Sequence, residues 1–118
     1  MMRYLRFVYN NFLHCALRLN SHEKPSYVYI LASAPYGTLN IGVTTDIVKR
    51  TWQHREEFVE GFTKQYGVHM LVWYEIHHHL MTAVAREKQL KKWKREWKIK
   101  LIHERNPQWR DLYLEFTA

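Results

Sequence analysis

Cysteine is nearly absent from this sequence, and so are the long apolar runs that would place a chain in a membrane. Cys15 is the single cysteine, which rules out an internal disulfide and makes a reducing, cytoplasmic setting the expectation. No apolar stretch approaches the roughly 20 residues that span a bilayer, so we expect no membrane partner. Internal repeats and low-complexity tracts are also missing, which leaves an ordinary globular protein.

Acidic residues are scarce as well. Asp and Glu number 11 against 18 Lys and Arg, which gives a net charge of +7 and an isoelectric point near 9.6. This balance favours a polyanionic partner such as nucleic acid. Between residues 86 and 105, nine Lys or Arg accompany three Glu, so +6 of the net charge lies in one segment. The candidate nucleic-acid-binding residues in it are Lys88, Lys91, Lys92, Lys94, Arg95 and Lys98. Alternatively, these residues only keep the protein in solution.

Length and apolar content predict one domain. A chain of 118 residues with 47% hydrophobic residues can bury a single modest core. Residues 1–25 are predicted to form an N-terminal extension, helical or disordered, and residues 26–118 the domain itself. The first twenty residues carry three arginines and no acidic residue, so the alternative for them is an amphipathic presequence.

Two stretches of high strand propensity, YVYILA and TLNIGVT, flank a loop with Pro and Gly and predict a β-hairpin. In the second stretch alternate residues face the core, which leaves Asn40 on the opposite face. Asparagine is a poor strand former, so this amide needs a reason. If the loop is centred between Ala34 and Pro35, Tyr29 lies opposite Asn40, about 5 Å away at Cβ.

A helix is predicted after the hairpin, capped by Thr45 or Asp46 and running to about Phe58. At 100° per residue, Trp52 falls on the core face of this helix. The stretch GVHMLVWYEI is apolar on both alternating sets, which is typical of a covered strand.

The longest helical pattern runs from about Met81 to His103. An apolar stripe that includes Leu90, Trp93 and Trp97 recurs there at spacings of three and four residues. Glu87 falls near the edge of this stripe. A partly buried carboxylate needs a cation, a metal or a hydrogen bond to offset its lost hydration.

Taken in order, YVYIL, LNIGVTTD, VKRTWQHR, REKQLKKWKR and NPQWRDLY resemble a stand-alone GIY-YIG nuclease domain of the small bacterial kind. The resemblance covers about three quarters of the chain, from Ser26 to Leu114. It implies an α/β (α+β) fold in which helices flank a short antiparallel three-stranded sheet.

The resemblance also implies five site residues. The motifs YVY and NIG stand at the two strand motifs that name the family, so Tyr29 matches the tyrosine of the first, and Asn40 replaces the tyrosine of the second. Arg50 matches the helix arginine, and His54, four residues on, a polar active-site position on the same helix edge. Glu87 matches the metal-binding glutamate, which implies Mg²⁺ or Mn²⁺ as the cofactor.

Phosphodiester hydrolysis has a use for each of these residue types. Arg50 offers phosphate a planar fork of donors. Tyr29 and His54 can accept a proton if positive charge lowers the phenol pKa from its ordinary value near 10, although Tyr29 could equally be a packed aromatic. Asn40 can orient a water but cannot accept a proton at useful pH. The replacement at position 40 therefore bears on proton transfer and not on the fold.

The sequence thus predicts a divalent-metal-dependent endonuclease that acts on DNA, with no small-molecule cofactor and with its oligomeric state undetermined. One rival hypothesis is a fold that has lost turnover and only binds nucleic acid. Another is an interaction protein that docks a partner through Trp93 and Trp97. Single residues also have structural alternatives, with Arg50 as a solvated helix charge and Glu87 as an intrahelical partner of Lys91.

Neutralising Lys91, Lys92, Lys94 and Lys98 together should weaken DNA affinity and flatten its dependence on salt, because fewer counterions are released on binding. The measurement is a set of binding titrations between about 50 and 200 mM salt, compared as slopes of log affinity against log salt. An unchanged slope would count against this face.

Overall fold

The computed structural model describes residues 24–56 and 66–117. Its elements in chain order are β1 (Ser26–Ala32), β2 (Leu39–Thr44), α1 (Ile47–Arg55), β3 (Met70–His77), α2 (Leu80–Lys92), α3 (Arg95–Arg105) and α4 (Tyr113–Thr117). Nearly all of the predicted N-terminal extension, and the predicted end of the first helix at Phe58, lie outside the described residues. No helix in the described ranges is long and apolar enough to cross a membrane.

The three strands form one antiparallel sheet in the order β2-β1-β3. This confirms the predicted α/β fold with helices around a three-stranded antiparallel sheet. Every residue of the central strand β1 is buried, because both faces of the sheet are covered. Ile30 packs in one core with Leu90 of α2, whereas Tyr29 and Leu31 pack in a second core with Phe116 of α4. The two faces of the sheet therefore pack into two separate cores, and Tyr29 belongs to the second.

The hairpin register differs from the prediction by two residues, since Tyr29 pairs with Gly42 and not with Asn40. The loop is the reason. The N–H of Ser33 donates to the carbonyl of Thr38 at 3.0 Å, which closes a four-residue loop centred one residue later than predicted. Because the shift is an even number, Asn40 keeps its predicted face and pairs with Leu31 instead of Tyr29.

The first helix begins as predicted but is rotated about its axis. Asp46 is its N-cap, with a side-chain oxygen that accepts the N–H of Lys49 at 3.1 Å. Trp52, predicted to face the core, is 44% exposed. The buried residues of α1 are Ile47, Thr51 and His54. Their spacings of four and three residues define the true inward stripe, and this stripe brings a histidine into the interior.

The predicted helix from Met81 to His103 is two helices. α2 ends at Lys92, and Trp93 and Lys94 are both extended, with ψ near 148° and 149°. No proline or glycine marks this break. In one straight helix, Leu90 and Ile102 would point about 120° apart, at about 100° per residue. The break lets both side chains enter the same core.

The C-terminal segment folds back onto the sheet, as NPQWRDLY predicts. Trp109 and Tyr113 are buried in the two cores. Asp111 accepts the N–H of Leu71 at 3.2 Å and forms an ion pair with Arg55 at the end of α1. This carboxylate therefore holds α1 against β3, and it fixes the helix that carries two of the predicted site residues.

Candidate active site

The tyrosine of the first motif crosses to the edge strand of the sheet. Tyr29 is 3% exposed and its ring lies directly against Gly42 of β2. A Cβ placed on Gly42 would be 2.4 Å from the Tyr29 hydroxyl oxygen and 2.5 Å from Cζ. Any side chain at position 42 would therefore displace the ring. Because β2 is an edge strand, the absence of a side chain lets the phenol reach the margin of the sheet.

Charges from helices on both faces of the sheet act on this phenol. Arg50 lies on α1, which packs through Ile47 into the core that holds Tyr29; Glu87 lies on α2, which packs through Leu90 into the other core. Burial raises the pKa of the Tyr29 phenol above 10.0, the charge of Arg50 opposes this rise, and Glu87 adds to it. Tyr29 therefore keeps its proton at neutral pH. A lowered phenol pKa, the condition for Tyr29 to accept a proton, is not met.

His54 is the better proton acceptor. It is 5% exposed, and its ring centroid lies 6.3 Å from that of Tyr29. Burial lowers the pKa of His54 below 6.5, and electrostatic interactions with Arg50 and His69 lower it further. The imidazole is thus neutral at pH 7 and can take up a proton.

His69 is a contributor to this site that the sequence analysis missed. It precedes β3, and its Nδ1 lies 2.8 Å from the carbonyl oxygen of His54, fifteen residues earlier in the chain. No local pattern marks it, because only the fold brings the start of β3 beside α1.

Glu87 is half-buried, with the Lys91 ammonium 3.7 Å from its carboxylate. The intrahelical pair that the sequence allows is thus present, but it is long and Lys91 is mostly exposed. Within the described ranges no three His, Cys, Asp or Glu side chains cluster into a metal site. Mg²⁺ is commonly bound through one or two carboxylates and several waters, so a single glutamate fits that ion.

Asn40 lies beside two lysines and not beside Tyr29. Together with Leu39, Ile41, Lys91 and Lys98 it lines an open cavity of about 230 Å³. The structure thus brings Tyr29, Arg50, His54 and Glu87 into one electrostatic environment. It places Asn40 in an adjoining cationic groove, two residues along β2 from Gly42.

The predicted basic residues occupy different settings. Exposed members are Lys88, Lys91, Lys92, Lys94 and Arg95, whereas Lys98 is partly covered. Arg95 donates to the carbonyls of Tyr36 and Gly37 at 2.5 and 2.7 Å, so its guanidinium attaches α3 to the hairpin loop. Lys91 and Lys98 line the groove beside Asn40, and the other lysines are exposed on α2 and at the start of α3; together they are called the cationic margin.

Comparison with known proteins identifies the family. The GIY-YIG catalytic domain matches residues 25–100, well over half of the chain. The protein therefore belongs to the GIY-YIG family, whose members are generally endonucleases, and its fold is nuclease-like. It is also similar to the solution NMR structure of a UPF0213 protein from Bacillus halodurans. The two are 25% identical with a TM-score of 0.47, over 74% of this chain and 92% of that one. No curated protein matches the chain.

The pKa of His54 should lie below 6.5 in the folded protein and should rise in Arg50→Gln, because one of its causes is removed. Burial is the larger cause and should keep the pKa below 6.5 in the variant as well. The measurement is an NMR titration of the imidazole. Lys49→Gln, which removes an exposed charge from the same helix, is the matched control and should leave the midpoint unchanged. A wild-type midpoint at or above 6.5 would contradict the site's electrostatics.

Proposed function

We propose that this protein is a divalent-metal-dependent endonuclease that hydrolyses DNA phosphodiester bonds. One observation carries the proposal. The Tyr29 phenol lies over Gly42, the opposite charges of Arg50 and Glu87 act on it, and His54 lies 6.3 Å away at the ring centroid. Together these supply a hydroxyl, a cation, a carboxylate and a neutral base, which are the groups that phosphodiester hydrolysis requires.

The pKa directions divide the roles. His54, neutral at pH 7, accepts the proton from the attacking water as the new bond from oxygen to phosphorus forms. Tyr29 retains its proton, so its hydroxyl donates a hydrogen bond that orients the water or a phosphate oxygen. Arg50 neutralises the charge that develops on the phosphate while the bond to the leaving oxygen breaks.

Glu87 would hold a Mg²⁺ or Mn²⁺ ion. When bound, such an ion supplies positive charge to the phosphate and the leaving oxygen. The carboxylate is available for this role because its contact with Lys91 is long and solvent-exposed on the lysine side, so opening the pair costs little.

DNA is the proposed substrate because the site adjoins a cationic margin. Lys91 and Lys98 line the groove beside Asn40, and the segment from 86 to 105 carries most of the net charge of +7. Such a surface attracts a phosphate backbone through counterion release. Because a single cysteine cannot form an internal disulfide, we propose that the protein acts in the reducing cytoplasm.

A second candidate function is DNA binding without turnover. Asn40, which replaces the tyrosine of the second motif, is the observation that favours it. With the pKa of Tyr29 raised, neither strand motif supplies a phenolate, and Asn40 lines a cavity together with two lysines. If His54 alone is a sufficient general base, the protein is an endonuclease. If it is not, the protein binds DNA without cleaving it.

Glu87→Gln should abolish metal-stimulated cleavage with the fold intact, because the amide removes the charge that attracts the cation. Arg50→Ala should slow cleavage even at saturating metal, by about 10²- to 10³-fold if it contributes as one transition-state donor does. Cleavage of duplex, nicked and branched DNA with Mg²⁺ or Mn²⁺ measures both effects. Glu96→Gln, an exposed carboxylate on α3, is the matched control and should keep full activity. Full cleavage by Glu87→Gln would remove this site from consideration.

Asn40→Tyr should raise the single-turnover rate if the missing phenol limits proton transfer, by up to the factor of about 10² to 10⁴ typical of a general base. The adjoining cavity of about 230 Å³ has room for the ring. Asn40→Phe, which adds the ring without the hydroxyl, is the control. If Asn40→Tyr gains nothing while Tyr29→Phe is inactive, the site is not degenerate and Tyr29 is the only tyrosine it needs.

A further inference from the structure

The break between α2 and α3 leaves two tryptophans together at the surface. The ring centroids of Trp93 and Trp97 are 6.1 Å apart with planes at 84°, and Trp97 is 52% exposed. A groove of about 300 Å³ runs beside them, with Lys100, Leu101 and Glu104 on its other walls. This arrangement has no part in the proposed catalytic chemistry.

The size and charge of the groove restrict its occupant. A volume of about 300 Å³ is at the lower end of small-molecule sites, and a peptide helix about 10 to 12 Å across would not enter it. Glu104 in the wall disfavours a phosphate beside it. Lys100 lines the groove, and the exposed Lys94 side chain places its ammonium over the Trp97 ring, 5.9 Å from the centroid. Both charges attract an anionic chain, and a base that stacks on this face of Trp97 takes the place of the Lys94 ammonium.

We propose that this groove binds an unpaired nucleobase of the DNA substrate. The base stacks on Trp97, the Glu104 carboxylate accepts a hydrogen bond from its exocyclic amino group, and the flanking phosphates lie near Lys94 and Lys100. Stacking on an aromatic ring combined with a cationic track is the general mode of single-strand binding. The proposal rests on the proposed DNA endonuclease function and adds the substrate class, which is duplex DNA with a single-stranded arm.

One residue of α3 links this groove to the groove beside Asn40. Lys98 follows Trp97 in the chain and lines the groove of Asn40 on its other side. A strand whose phosphates pass Lys98 can therefore place one base at Trp97 while its duplex end approaches β2.

The test distinguishes the contribution of the bases to binding from that of the phosphates. Fluorescence anisotropy without divalent metal, on the full chain carrying Glu87→Gln, measures affinity for three probes: a blunt duplex, the same duplex with a single-stranded arm, and the same duplex with an abasic arm of equal length. The arm with bases should bind more tightly than the abasic arm by about 5- to 150-fold, the range for one stacked base. Trp97→Leu should remove this difference, and Trp97→Phe, which keeps an aromatic ring, should retain most of it.

Equal affinity for the two arms, or discrimination that survives Trp97→Leu in a folded variant, would overturn the nucleobase site while leaving duplex binding intact. Failure to bind any of the three probes would instead overturn the proposed function on which the site rests. The alternative occupant of the groove is a second copy of this chain, and sedimentation of the unlabelled protein measures whether it forms a dimer. If it is a dimer that Trp97→Leu converts to a monomer with base discrimination unchanged, the groove is an interface between two copies and the proposal is wrong.

Discussion

The contact between Tyr29 and Gly42 is the constraint on which the candidate site depends. β1 is the central strand and is buried on both faces, so a polar ring within it must find an exit for its hydroxyl. The missing side chain at position 42 provides that exit towards the edge of the sheet. The same burial raises the pKa of the phenol and so leaves proton transfer to another group. The burial of Tyr29 in the central strand thus accounts both for its position against Gly42 and for its raised pKa.

Two tertiary contacts set the helices around this ring. The Arg55–Asp111 ion pair joins the end of α1 to the segment that packs on β3, which keeps Arg50 and His54 in place. On the other face, the break after Lys92 directs Leu90 and Ile102 into one core. Lys91 before the break and Lys98 after it line the same cavity beside Asn40, so the break bears on both the packing and the charged surface.

Much of the architecture could be predicted from local pattern. Strand propensity gives β1 and β2, the capping residue Asp46 gives the start of α1, and NPQWRDLY gives the return of the chain to the core. The predictions that were wrong concern the register of the hairpin, the inward face of α1 and the position of a helix break, whereas the type of each element was predicted correctly. A periodicity count predicts that Trp52 faces inward, because a large apolar residue outweighs Thr51 and His54. In the structure Thr51 and His54 are buried, whereas Trp52 is 44% exposed. The break at Trp93 has no glycine or proline to mark it.

The sequence alone determined the family motifs, the concentration of positive charge between residues 86 and 105, and the replacement of a tyrosine by Asn40. These are properties of residue identity and order. Only the tertiary structure decided that the pKa of Tyr29 is raised, that His54 is neutral and that His69 lies beside it. The reason is physical: a pKa depends on burial and on charges from distant parts of the chain, and both exist only once the sheet and helices have packed.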